Sequence, residues 1–225
     1  MNIYATIILC FIPFITVFLL FKILISEITI VKELFACLVG LLALIPIAFI
    51  QFFTGDFFVV NNQMVFSILI RAIFLYGIVE EGIKCCLLFI FPMKSINLKL
   101  VFVYSILAGL FLGSFESVVY VINSIQNASS RSGEVLLNMI YLRTFTFLVI
   151  LSLCAGLLGL FVFSVKRKVY FWRALIYAIL IHGLYDFFAI MPGALNIFSY
   201  VIIILLVLEC RINYVKISER IKKNN

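Results

Sequence analysis

Seven apolar runs, each about as long as a bilayer is thick, constrain this chain more than any other feature. A helix needs around 20 apolar residues to cross roughly 30 Å of hydrocarbon. Runs of that kind cover Ile3–Ile25, Leu34–Phe53, Ser67–Phe91, Leu98–Ile122, Phe145–Val165, Phe171–Ile190 and Leu195–Arg211. Inside lipid only helices and closed barrels satisfy their own backbone, and the ~10-residue alternating segments of a barrel do not occur in the sequence. The expected fold is therefore all-α, a polytopic transmembrane helix bundle of seven spans, with residues 1–225 forming a single integral membrane domain. Composition agrees. Hydrophobic residues are 66% of the chain and charged residues 12%, against roughly 45–50% and about 25% in a soluble domain. That leaves too little polar surface to cover a water-soluble globule.

The breaks between runs carry turn and interface residues: TGD at Thr54–Asp56, FPMK at Phe91–Lys94 and MPG at Met191–Gly193. The first run lacks a basic leader and a small-residue cleavage site, so it is expected to be a retained span. With seven spans, alternate loops fall on opposite sides. One side collects Lys22, Lys32, Lys94, Lys99, Lys166, Arg167, Lys168, Arg173 and the basic tail from Arg211 to Lys223, while the other offers Arg131, with Arg71 and Arg143 near that interface. By the positive-inside rule the C-terminus is expected to be cytoplasmic and the N-terminus outside. The net charge of +7 thus reads as loop asymmetry in a plasma membrane of bacterial type, with the lipid bilayer and not nucleic acid as the partner. The six cysteines, Cys10, Cys37, Cys85, Cys86, Cys154 and Cys210, fall almost entirely in apolar runs without CxxC spacing. They read as small buried hydrophobes, not as a disulfide framework or a thiolate metal site.

Against this background a few ionisable residues stand out: Glu80, Glu81 and Lys84 in the third run, Glu116 in the fourth, His182 and Asp186 in the sixth. Each charge near the midplane costs about 2.5–3.5 kcal/mol even on a lenient insertion scale. Such groups face the bundle interior, pair with one another and mark pathways or active sites. Glu80 and Glu81 lie four and three residues before Lys84, so both carboxylates can reach the ammonium along one helical face. His182 and Asp186, four apart, can pair likewise. Gly109, Gly113 and Glu116 share a stripe, and two glycines four apart let a neighbouring helix approach closely. All five acidic and imidazole groups are expected around one cavity opening outward.

These groups supply the parts of a water-activating hydrolase: paired carboxylates to share a proton and act as base and acid, Lys84 to balance their charge, and His182, oriented by Asp186, to stabilise an oxyanion or ligate a metal. A divalent metal such as zinc has candidate ligands in Glu81, Glu116, His182 and Asp186. The chain has no HExxH motif and no second His, so the sequence leaves the metal open. Three other readings compete. A buried Glu–Lys pair can be a register clamp, a set of buried acids can be a proton relay of a coupled transporter, and the same polar groups can hold together a non-catalytic scaffold.

At these residues the chain resembles a known family. EEGIK at Glu80–Lys84 matches the EExxK motif of the PrsW intramembrane proteases, GLFLGSFESVVY at Gly109–Tyr120 resembles their Gly-rich FxxxE segment, and HGLYD at His182–Asp186 matches HxxxD. The resemblance covers a core from about Ser67 to Ile190. It extends to a wider group with the CAAX prenyl proteases and the APH-1 subunit of gamma-secretase. It implies peptide-bond hydrolysis in or near the membrane and, in bacteria, site-1 cleavage of single-pass anti-sigma factors. Carried over, it makes Glu80, Glu81, Glu116 and His182 the catalytic set, supported by Lys84 and Asp186. Three positions depart from the family pattern: Leu112 stands where FxxxE has Phe, Ser117 where Asn is common, and Ser152 in the fifth-span region, Leu151–Leu153, where a His is usual.

Overall fold

The computed structural model describes residues 3–54, 65–92, 96–126 and 143–224. Their elements are helices throughout: α1 (Ile3–Leu24), α2 (Ile30–Thr54), α3 (residues 65–88), α4 (Leu98–Gln126), α5 (residues 143–166), α6 (Arg173–Ile190) and α7 (Ile197–Asn224). Six are by themselves long and apolar enough to cross a membrane. The seventh, α3, is interrupted. It runs as α-helix over Val65–Arg71, widens to π-helix over Ala72–Glu80 and returns to α-helix over Glu81–Leu88. Arg131 and Lys94, two of the charges expected to mark loop sides, lie outside the described residues, as does most of the TGD break.

Burial orders the bundle. The α5 span is 83% buried and α4 72%, whereas α1 is only 6%. Helix α5 is therefore the centre, and α1 lies on the rim, with most of its side chains turned away from the bundle. Without a hydrophobic drive between helices in lipid, close packing of small residues holds them together. A Cβ built on Gly109 of α4 would stand 2.4 Å from the Leu151 carbonyl oxygen of α5, and one on Gly113 2.9 Å from Leu151 Cδ1. At both glycines α4 and α5 approach more closely than a side chain would allow. The aromatics beside them face outward to α1: Phe115 meets Phe11 at 5.1 Å between ring centroids, and Phe111 meets Phe14 at 4.9 Å.

Element ends follow from local chemistry. Lys166 at the end of α5 donates to the Phe89 and Phe91 carbonyl oxygens at 2.7 and 2.8 Å, satisfying acceptors that the end of α3 leaves exposed. The MPG break turns through Gly193 at φ +67° into a short 3₁₀ turn, Gly193–Asn196. One boundary needs correcting. The last span was expected to end at Arg211, but α7 continues to Asn224. Its 28 residues reach roughly 42 Å, well beyond the hydrocarbon. The cysteines are all free thiols, buried except Cys86.

Candidate active site

The wide π-turn of α3 packs against α6. A Cβ on Gly183 would fall 2.8 Å from Ile73 Cα, and one on Gly77 2.6 Å from the Ile179 carbonyl oxygen. Two facing glycines thus let two backbones nearly touch. This contact brings EEGIK beside HGLYD. His182, fully buried, has its Nδ1 2.6 Å from Glu81 Oε1. Its Nε2 looks the other way, 3.3 Å from Asp186 Oδ2 and 3.8 Å from Glu80 Oε2. The only imidazole in the chain is ringed by three carboxylates.

Lys84 divides the two glutamates. Both were expected to reach it, but its ammonium pairs with Glu81 Oε1 alone within ion-pair distance. Glu80 turns instead to α2, where Gln51 Nε2 donates to its Oε1 at 2.6 Å. Glu81 Oε1 therefore accepts from both Lys84 and His182 Nδ1. An acceptor at Nδ1 makes that nitrogen the one carrying hydrogen and turns Nε2 to Glu80 and Asp186.

A cavity of about 600 Å³ opens beside this cluster. It is walled by Glu80, Glu116 and Asp186 together with Gln51, Thr146 and Tyr185. The Thr146 and Tyr185 hydroxyls are hydrogen-bonded to each other at 2.7 Å. Three of the five groups expected on one cavity are thus there. Glu81 and His182 are not. They are fully buried and lie behind the wall, because the Gly183 contact seals α6 onto α3 at their level. Glu116 and Asp186 act electrostatically on Glu80. Two stretches of π-helix border the cavity, Ala72–Glu80 through Tyr76 and Glu80, and Arg143–Phe147 through Thr146 and Phe147. Such wide turns recur at functional sites. Gln51, Thr146 and Tyr185 did not figure in the sequence reading. Gln51 left one trace there, as an amide in an otherwise apolar run.

Ser152, at the position where the family pattern has a His, donates to the Val149 carbonyl oxygen of its own helix at 2.9 Å and packs beside Gly109. Leu112 is buried against Ala43 and Ile47 of α2.

The donors test the fit of a divalent cation. His182 Nε2 and Glu80 Oε2 are both buried without a hydrogen-bond partner. A neutral imidazole nitrogen and two carboxylates are all acceptors, so something positive, a proton or a cation, belongs between them. In chemistry, one imidazole with carboxylates suits such an ion. In arrangement, no group of three His, Cys, Asp or Glu among the described residues is gathered tightly enough to enclose one. The ligand candidates Glu81, Glu116, His182 and Asp186, even with Glu80 added, therefore do not form a cation site as they are arranged.

Residues 31–209 match the family described as PrsW family intramembrane metalloprotease. No curated protein and no solved structure matches the chain.

Proposed function

The chain belongs to the PrsW family, and on that premise we propose that it is an intramembrane endopeptidase that hydrolyses a peptide bond in single-pass membrane proteins, with anti-sigma factors as the substrate class. One observation carries this reading. Glu80 has one oxygen held by Gln51 and the other without a partner, at the wall of the 600 Å³ cavity. A carboxylate anchored at one oxygen and without a hydrogen-bond partner at the other suits a general base. In this reading Glu80 Oε2 orients a water and takes its proton as the water oxygen attacks the scissile carbonyl carbon. The carbonyl oxygen gains charge and is met by the Thr146 and Tyr185 hydroxyls. Glu116 or Asp186, on the same cavity, returns a proton to the departing amine. His182 couples Glu80 to Asp186 through Nε2, while Glu81 and Lys84 fix its ring from behind.

Two buried carboxylates, Glu80 and Glu81, and two half-buried ones, Glu116 and Asp186, stand beside one ammonium and one imidazole, a set of interacting groups that exchange protons as a unit, which is what an acid–base cycle needs. The enclosed Glu81–Lys84 pair also favours a second role for that half of the cluster, as a clamp of helix register, and a scaffold of the APH-1 kind would need no more than that. The motif-bearing core, residues 67–190, is the catalytic unit in this proposal. The cavity lies at the end of the bundle away from the basic loops, so it opens to the outside of a bacterial cytoplasmic membrane.

The test is quantitative proteomics of membranes and supernatant from cells carrying wild-type protein or Glu80→Gln, accumulated to equal levels. Single-pass proteins that persist uncut in the variant, with loss of their shed fragments, support the protease. An unchanged proteome under several envelope stresses favours the scaffold.

A further inference from the structure

We propose that the basic end of the bundle holds a binding site for the headgroup of an anionic phospholipid, in a pocket between the loop joining α5 to α6 and the last turns of α7. The pocket measures about 520 Å³, and Arg173, Lys216, Arg220 and Lys223 line it. One carboxylate, Glu219, also lines it. Arg173 is already engaged, with both carboxylate oxygens of Glu209 at 3.0 Å. Glu209 in turn accepts from Asn213. That leaves Lys216, Arg220 and Lys223 facing Glu219, and none of the three makes an ion pair among the described residues. The excess positive charge is therefore local to the pocket.

The walls are built, not incidental. The guanidinium of Arg220 lies over the buried Phe171 ring at 4.8 Å, and that of Arg173 over Tyr177 at 4.7 Å. Stacking holds both planes in fixed orientations. The loop itself carries Lys168 at φ 59° and Tyr170 at φ 44°, left-handed conformations that bulky residues rarely adopt. Ser164 secures the loop, accepting from Val169 N at 2.9 Å through its carbonyl and from Phe171 N at 3.1 Å through Oγ. The loop presents Tyr170 and Trp172 on either side of Phe171, each more than half exposed.

Two arguments choose a lipid over a soluble anion. Exposed Tyr and Trp beside clustered cations are the residues of the headgroup layer. The overrun of α7 past the hydrocarbon also sets Lys216 to Lys223 where phosphates lie, and basic pockets between helices at that level bind anionic headgroups. The site is remote from Glu80 and does not depend on the proteolytic reading.

The experiment is native mass spectrometry of the full-length protein in detergent, titrated with phosphatidylglycerol or phosphatidylcholine. Wild type is expected to retain phosphatidylglycerol selectively. Lys216→Gln/Lys223→Gln, two exposed side chains whose loss leaves the packing intact, should weaken retention roughly 30-fold. Arg220→Lys, which keeps the charge and loses the stacked plane, should weaken it less. Lys32→Gln/Lys99→Gln removes equal charge elsewhere on the same end and should leave retention unchanged. Equal loss in that control would overturn the pocket in favour of diffuse charge. Displacement by millimolar glycerol phosphate as effectively as by lipid would make the ligand a soluble phosphate. Absence of selective retention would end the proposal.

Discussion

Gln51 Nε2 donates to Glu80 Oε1 across 2.6 Å, tying the last turn of one apolar helix to the end of the wide turn of another. The bond fixes the carboxylate and leaves Oε2 as the oxygen without a hydrogen-bond partner. If Glu80 is the base, Gln51→Leu should lower kcat about tenfold, the worth of a hydrogen bond to a charged group, with little change in KM. Gln51→Glu sets a second carboxylate against the first. Its activity should be poor at neutral pH and should recover towards acid, where one of the pair holds a proton. Cleavage of a reconstituted single-pass substrate across a pH series checks both.

Glu80→Gln itself should reduce turnover by roughly 10²–10⁴-fold, the span typical of removing a general base. The amide can keep a hydrogen bond with Gln51, so thermal unfolding in detergent should stay near wild type. A large fall in unfolding temperature together with lost cleavage would instead mark Glu80 as a structural strut.

Lys84 and Glu81 carry the opposite expectation. Both are buried, and the ammonium is the cationic partner of the carboxylate. Removing one partner strands a charge, which costs about 3–5 kcal/mol. Lys84→Met should therefore accumulate poorly and unfold early. The double change Lys84→Met/Glu81→Leu should recover part of that stability, although His182 then loses its Nδ1 acceptor and cleavage stays absent. Differential scanning fluorimetry separates the two outcomes.

The convergence of Glu80, Glu81, Glu116, His182 and Asp186 was legible because helical spacing carries it: residues three or four apart share a face, and polar faces in lipid seek one another. Gln51, Thr146 and Tyr185 were not, since an amide or hydroxyl in a span has no fixed spacing to its partner on another helix. The split of labour between the two glutamates was hidden for the same reason. Spacing permits either to meet Lys84, and only the approach of α2 draws Glu80 away. The end of α7 was misread on different grounds. Hydropathy marks where lipid stops, but Asn213 and Ile217 are fully buried beyond that level, so packing carries the helix on.

Glycine contacts give a matched pair. Gly183→Ala puts a methyl 2.8 Å from Ile73 Cα, backbone that cannot step aside. Overpacking of that kind costs about 1–3 kcal/mol and would shift His182 away from Glu80. Gly82→Ala meets nothing within 4 Å and should be neutral or stabilising by up to about 1 kcal/mol, the helix-propensity gain. Activity and unfolding temperature should both fall for the first and hold for the second. Equal behaviour would mean that α3 and α6 are not in this close contact.

The orientation of the bundle is open to a direct chemical test. The cavity end carries the turn at Gly193–Asn196, while the opposite end carries Lys22, Lys166, Arg167 and the tail of α7. Positive charge favours the cytoplasmic side. Ala194→Cys, at an exposed position of that turn, should therefore react with a membrane-impermeant maleimide in intact cells. Lys222→Cys, exposed near the far end of α7, should react only after permeabilisation. Five of the six native thiols are buried, which keeps the background low. The reverse labelling pattern would turn the cavity to the cytoplasm, and a carboxylate site there would have to draw its substrate from the inner face.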